Sequence, residues 1–438
     1  MGLRRFSKGK FAELFSRNPS RSRRSPSNLR LRLAATASII GPGLIAASSG
    51  NEASGIATYS FAGAEYGFSL LWAFIPMTIF FILAQEMCVR MGVITGQGLS
   101  DLIREHFGVR WAAFVISALV LANTGIVIAQ FVGIAQVSQL VGIPHQIAVP
   151  VVGFVIWWLV VKGTPKRVEQ AFLMMSLVFL IYIVSAFFAV DDWTEVGRGF
   201  VAPEISGETR YLFTVIALIG TTITPFMQIF IQSSVVDKGL TKEDLSLART
   251  DAISGVLIAN TIAAFIVITA AATMFGNGMP LGETMDLPRT FEPVVGVFAP
   301  YVFAIGLFGA SMLAMGVLPL ATAYSVSEAL GFEKGLSSSF REAPAFLGIF
   351  TALIVIGVVV ALLPGVDYIS MLLGTQFLNG LLLPIILSAI VLLSSNKELM
   401  GEHANGRIFK LVAWVMTIVI TMISIALLMT TAVEYLNH

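Results

Sequence analysis

Cysteine, histidine and charge are all scarce in this chain of 438 residues. Cys88 stands alone, so no internal disulfide can form, and a lone thiol says nothing more about the redox compartment. The four histidines, His106, His145, His403 and His438, lie outside the predicted spans, which are therefore without an imidazole to titrate near neutral pH. Charged residues make up 12% of the chain, against about 25% in an average soluble domain, which excludes an ordinary soluble protein. The formal net charge of +1 excludes the dense basic surface that bulk nucleic-acid binding needs. No GxxxxGKS/T loop occurs, so nothing is built to hydrolyse ATP and any transport is driven by a gradient.

Hydrophobic residues are abundant at 56%, and mean hydropathy is +0.85. A membrane-spanning helix needs about 20 apolar residues. Eleven such stretches are predicted, near 35–62, 68–94, 111–141, 147–163, 168–190, 209–237, 249–276, 294–330, 343–363, 367–394 and 408–433. Residues 1–32 form a basic, Ser-rich tail rather than a secretory signal, because no apolar stretch and cleavage site follow in that order. Arg90, Arg104, Arg110, Lys162, Lys166, Arg167, Lys238, Lys242, Arg249, Lys397, Arg407 and Lys410 fall in alternate loops, on the same side as that tail. Asp191, Asp192, Glu195, Glu204, Glu208, Glu283, Asp286 and Glu292 fall on the other. The positive-inside rule then puts the N-terminus in the cytoplasm, and an odd span count puts His438 outside. The expected location is a plasma membrane of prokaryotic type, with the bilayer as surroundings and no obligatory protein partner.

Two of the spans are built to break. Gly50-Asn51-Glu52-Ala53-Ser54-Gly55 sets a carboxylate among small residues inside the first, and a charge at that depth persists only beside a cavity, a counter-charge or a bound cation. Thr221-Thr222-Ile223-Thr224-Pro225 interrupts the sixth, where proline removes a backbone donor. Glycine and proline are ordinary in membrane helices, so one kink alone carries little. Two breaks, each opening a block of five spans, are the arrangement expected of an inverted repeat with an ion site at the midplane. The expected organisation is a tail at 1–32, repeats at 33–190 and 209–395, and an added helix at 408–433.

The run Gly41-Pro42-Gly43-Leu44-Ile45, then Glu52-Ala53-Ser54-Gly55, Ala57-Thr58 and Ala62-Gly63-Ala64-Glu65-Tyr66-Gly67, resembles the first helix of the Nramp family of divalent-metal transporters. That family reads Asp-Pro-Gly-Asn where this chain has Glu52 to Gly55. Ala217 to Phe226 resembles its sixth helix, where members place Met-Pro-His. Arg90-Met91-Gly92, Thr95-Gly96, Thr375-Gln376-Phe377 through Pro384, and Lys397 with Leu399-Met400-Gly401 extend the similarity over nearly the whole chain. The resemblance implies an all-α polytopic fold of LeuT-like type, a 5+5 inverted repeat with broken helices 1 and 6. The implied activity is transport, with no enzymatic chemistry and no resident cofactor.

In that family a transition metal is held by the aspartate, the asparagine, the methionine sulfur and a backbone carbonyl three residues before the methionine. Those positions here read Glu52, Gly55, Thr224 and Thr221, so the thioether is gone. Oxygen ligands suit Mg, Ca and Mn, whereas thioether favours softer ions. With Ser54 beside them and Gln376 as a further candidate, the set predicts a hard-cation site. Mg²⁺ keeps several waters and takes one or two carboxylates, and the shorter Gly55 and Thr224 are expected to widen the site, with the hydroxyls of Ser54, Thr58, Thr221 and Thr222 bonding retained water. The resemblance agrees, because a branch known as Nramp-related magnesium transporters lacks the methionine. Mn²⁺ is expected to pass as well, and Ca²⁺ is harder to exclude.

Family members that cotransport protons carry histidines on the sixth helix and acidic residues on the third. The corresponding positions here are Phe226, Ile231 and Gln130. With no group there that titrates near neutral pH except the intramembrane carboxylate of Glu52, the expectation is uptake uncoupled from protons, driven by a membrane potential worth about 2.3 kcal/mol per charge per 100 mV. Two alternatives share the architecture: a proton-coupled Mn²⁺ importer, and an amino-acid or other organic-solute carrier whose substrate carboxylate Glu52 would repel. Other polar residues have plain expected roles. Glu86 and Arg90 form an intrahelical pair, Asp244, Arg249 and Asp251 a charge cluster at a helix start, Asn260 and Asn379 interhelical hydrogen bonds, and Met312 and Met315 core packing.

Overall fold

The computed structural model describes residues 41–275, 296, 299–363 and 368–437, and the basic tail, residues 35–40 of the first predicted span and the acidic residues Glu283, Asp286 and Glu292 lie outside them. Every regular element among the described residues is helical. The first predicted span is two half-helices, α1a (Pro42–Ser48) and α1b (Ala53–Tyr66), joined by a 3₁₀ turn at Ser49–Asn51. There follow α2 (Phe74–Thr95), α3 (Val109–Leu140), α4 (His145–Lys162) and α5 (Pro165–Ala189), the last carrying a 3₁₀ turn at Leu177–Phe179. The sixth span is again split, into α6a (Thr209–Thr222) and α6b (Pro225–Asp237). Then come α7 (Leu245–Met274), α8 (Ala299–Leu330), α9 (Pro344–Ala361), α10 (Tyr368–Ser394) and α11 (Arg407–Asn437).

Ten of these helical stretches are long and apolar enough to cross a membrane, and the interrupted first span completes the eleven predicted. Helix 1 and helix 6 start at opposite ends of the bundle, as five intervening crossings require. Two short helices, Leu99–Phe107 and Trp193–Val201, link spans and carry charge at both ends, so hydropathy alone passes over them.

Helix 6 is the axis of the molecule: its most apolar window is 100% buried, against 28% for α4 and α5. The outer helices turn large apolar side chains outward, among them Phe154, Ile305 and Met422, each more than 60% exposed, as a hydrocarbon-facing surface requires. Between helices in lipid the hydrophobic effect offers little, and small residues let backbones approach. A Cβ on Gly43 would lie 2.6 Å from Ala252 Cα, and one on Gly255 2.7 Å from the Gly43 carbonyl, so α1a and α7 meet backbone to backbone. One on Gly220 would lie 2.3 Å from the Gln376 carbonyl, which seats α10 against α6a at the level of the second break.

Several expected roles change in the folded chain. Asp251 is no first-turn charge. It sits within α7, and its carboxylate accepts from the amides of Gly41 (3.1 Å) and Gly43 (2.7 Å), capping α1a instead of its own helix. The 3₁₀ turn Lys242–Asp244 that leads into α7 is started by a capping box between Thr241 and Asp244. Arg249 reaches Glu86 at 2.8 Å, so the Glu86–Arg90 pair is one part of a wider network in which Arg90 also donates to the His403 carbonyl and to Asn405. Asn260 donates to Thr78 at 2.8 Å, between helices as expected. Asn379 instead donates within its own helix, to Gln376 at 3.3 Å. Met312 and Met315 are buried in the core.

Candidate functional site

The two breaks meet at the centre of the bundle. Glycine and serine at 48–50 give the first half-helix no strong reason to continue, and Glu52 adopts an extended backbone that starts α1b as its N-cap. Its carboxylate accepts from the Ser54 amide at 2.8 Å, from the Gln376 side-chain amide at 2.5 Å, and from the side-chain amide of Gln130. Three N–H donors thus converge on one carboxylate that is 2% exposed, and no lysine, arginine or histidine among the described residues pairs with it. Neutral donors orient a carboxylate without cancelling its charge, and a buried charge of that kind favours a cation beside it.

Gln130 belongs to this clamp. Sequence reasoning assigns it only a vacated proton-relay position, yet its oxygen accepts from the Ala53 amide at 3.1 Å while its nitrogen serves Glu52 and lies 3.4 Å from Ser54 Oγ. The available signal is a glutamine inside an otherwise apolar span, which must find a polar partner in the interior. Phe226 and Ile231 are buried core side chains.

The second break is shaped by Pro225, which opens α6b and leaves Thr224 as an extended N-cap. The Thr224 hydroxyl makes no capping bond and has no hydrogen-bond partner among the described residues, although the residue is 1% exposed. Thr221 lies in the last turn of α6a, where carbonyls lose their helical partners. Its hydroxyl donates to the Gly50 carbonyl at 3.4 Å, tying the two breaks together.

Three details depart from the expected site. A Cβ on Gly55 would lie 2.2 Å from the Gly50 carbonyl and 2.9 Å from the Thr221 hydroxyl, so the space left by the missing side chain is filled by backbone rather than opened. Thr58 and Thr222 spend their hydroxyls on the carbonyls of Ser54 and Leu218 at 2.8 and 2.7 Å, so neither is an idle donor for retained water. Met227, one turn beyond Thr224, packs its terminal methyl against Gly50: a Cβ there would lie 2.3 Å from that methyl and 3.6 Å from the sulfur. A thioether therefore does stand beside the break, at a position sequence comparison with the metal ligands does not mark.

The oxygen groups that the two breaks bring together are accordingly one carboxylate, the backbone carbonyls at the breaks and the Thr224 hydroxyl. Among the described residues no three His, Cys, Asp or Glu side chains gather where they could hold a metal ion together.

Comparison with known proteins bears on this geometry. The family described as "Natural resistance-associated macrophage protein-like" (Nramp) matches residues 43–430. The divalent metal cation transporter MntH of Deinococcus radiodurans is 26% identical over 398 residues, covering 87% of each chain. The protein of the same name from Klebsiella pneumoniae is 28% identical over 397 residues, 87% of this chain and 91% of its own. The solved manganese transporter of Eremococcus coleocola superposes with a TM-score of 0.70 at 18% identity, over 93% of this chain and 88% of that one. MhsT, solved with L-phenylalanine, gives 0.62 at 14%, over 88% and 97%. At such identities the two structures speak for the fold, an all-helical LeuT-like one.

Proposed function

The chain belongs to the Nramp family, and from that premise we propose that it carries divalent metal cations across the membrane, Mg²⁺ chiefly and Mn²⁺ as well, without a coupled proton. The observation that carries this reading is the Glu52 carboxylate, fixed by Gln130, Gln376 and the Ser54 amide at the meeting of two broken helices with no charged partner among the described residues. The metal relatives named above support divalent cations as the cargo class.

Glu52 supplies the charge, and the carbonyls of Gly50 and Thr221 with the Thr224 hydroxyl supply oxygen. Hard cations accept that set, and Mg²⁺ in particular needs few protein ligands because it keeps its water. Gln130, Phe226 and Ile231 place neither an acid nor an imidazole at the relay positions and leave Glu52 as the one carboxylate at the breaks, which supports entry driven by an inside-negative potential, with the end carrying Arg90 and Arg249 in the cytoplasm.

A second reading has its own support. The solved neighbour from Eremococcus coleocola is a manganese transporter, and Met227 brings a sulfur beside Gly50, so a Mn²⁺ importer of the ordinary proton-coupled kind fits the family equally well.

The test is cation binding and uptake by the purified protein and its Glu52→Ala variant. The variant is expected to stay folded while losing measurable Mg²⁺ and Mn²⁺ binding by calorimetry and uptake into liposomes. Undiminished uptake by a folded variant would remove Glu52 from the site.

A further inference from the structure

Below the second break a row of polar side chains continues beyond the site. Gln228 and Gln232 follow Thr224 at intervals of four and share one face of α6b. Gln228 is fully buried, and neither its oxygen nor its nitrogen has a partner among the described residues; the Gln232 oxygen lacks one as well. Gln85 of α2 is in the same condition, 0% exposed with both amide atoms unpartnered.

Gln85 belongs to the same place. A Cβ on Gly92 would lie 3.0 Å from the Gln232 carbonyl and 2.7 Å from Val235, so that face of α2 packs on α6b. Gln85 is seven residues earlier and projects from the same face. The two helices run in the same direction, so seven residues at 1.5 Å rise put Gln85 about 10 Å nearer the centre, level with Pro225 and Thr224. The row ends at Gln232, whose nitrogen donates to the carbonyl of the half-buried Gln97 at 3.0 Å, at the end of the bundle that carries the basic loops.

A buried amide with nothing to bond costs stability, and two wholly unpartnered amides beside a third with an unpartnered oxygen form a pattern that packing alone does not explain. Each amide both donates and accepts, so a row of them can bond the water around an ion without binding the ion as a charged group would. We propose that Gln85, Gln228 and Gln232 line the passage by which a hydrated divalent cation moves between the Glu52 site and the end of the bundle at Gln97. This rests on the transport reading given above. The competing route lies on the opposite face of α6b, where Phe230 and Ser234 border a cavity of about 160 Å³ that is lined mainly by apolar side chains but also by Glu169, Asp237 and Lys238. Glu169 and Lys238 pair with each other at 2.6 Å, and Asp237 accepts from Tyr324 and the Leu336 amide, so those charges are engaged within the protein.

Replacing the single cysteine by Cys88→Ser provides a background in which Gln85→Cys, Gln228→Cys, Gln232→Cys, Ile229→Cys and Ser234→Cys are each probed with a small water-soluble thiol reagent. Labelling at 85, 228 and 232, with Ile229→Cys resistant, is the expected result. Resistance at all three row positions, or labelling at 234 in their place, would overturn the proposal. The readout is water access, so it does not depend on which ion is carried. In the native background, Gln228→Leu is expected to slow Mg²⁺ uptake at least about tenfold with Mg²⁺ affinity at the Glu52 site unchanged. An unaltered rate, or a loss confined to affinity, would contradict the passage. Failure of the transport reading would appear separately, as absence of uptake by the unaltered protein.

Discussion

Thr224 stands at the position that the resemblance pairs with the family's methionine, and its buried hydroxyl is unpartnered among the described residues. Thr224→Met would exchange that oxygen for a thioether, and softer ligands favour the later transition metals. The Mn²⁺ or Cd²⁺ over Mg²⁺ preference is expected to rise about tenfold in competition uptake, and unchanged selectivity would mean residue 224 does not face the ion. Gln130 offers a second test. In Gln130→Glu the donor to Glu52 becomes a second carboxylate, and two carboxylates in contact share a proton unless a cation lies between them. Uptake by that variant is expected to fall more steeply than that of the native protein as the medium is acidified; identical pH profiles would mean that Gln130 does not govern the site. The positions of Glu52, Thr221 and Thr224 at the breaks were legible because glycine, proline and a buried charge interrupt apolar runs. The roles of Gln130, Asn379 and Met227 were not. A glutamine in an apolar span announces a partner without naming it, and the methionine's nearness to Gly50 depends on how α6b is rotated.

At the scale of elements, α1a is held by one neighbour. Its seven residues make few helical hydrogen bonds of their own, and the Asp251 carboxylate satisfies the Gly41 and Gly43 amides at its start. Asp251→Ala is expected to destabilise the folded protein by about 1–3 kcal/mol and to speed hydrogen exchange across 43–51 more than across α1b. Uniform exchange in both half-helices would show that α7 does not anchor α1a through this residue. Hydropathy located the spans to within a few residues because each apolar run is bounded by charge or glycine. It passed over the helices at Leu99–Phe107 and Trp193–Val201, whose polar and apolar residues balance, and it read Asp251 as a helix-start charge because the partner that binds it is 208 residues away.

Over the whole molecule, the broken first and sixth helices meet at the centre of the bundle, and the buried charges among the described residues are few enough to trace. Glu52 is held by the amides of Ser54, Gln130 and Gln376, Asp251 by the start of α1a, Glu86 and Arg90 by each other with Arg249, and Glu328 by Lys334, Ser233 and the Ser100 amide near the basic end. Of these only Glu52 lies where both helices are interrupted. The eleven spans and the paired breaks followed from composition and spacing. The choice of cargo and of driving force did not, because a few substituted side chains decide it. The most direct test is to reconstitute the protein in liposomes and follow internal Mg²⁺ and internal pH together under an inside-negative potential. Mg²⁺ entry that grows with the potential and leaves internal pH unchanged is the predicted result. Absence of Mg²⁺ entry, or Mn²⁺ entry accompanied by acidification, would contradict it and return the chain to proton-coupled manganese transport.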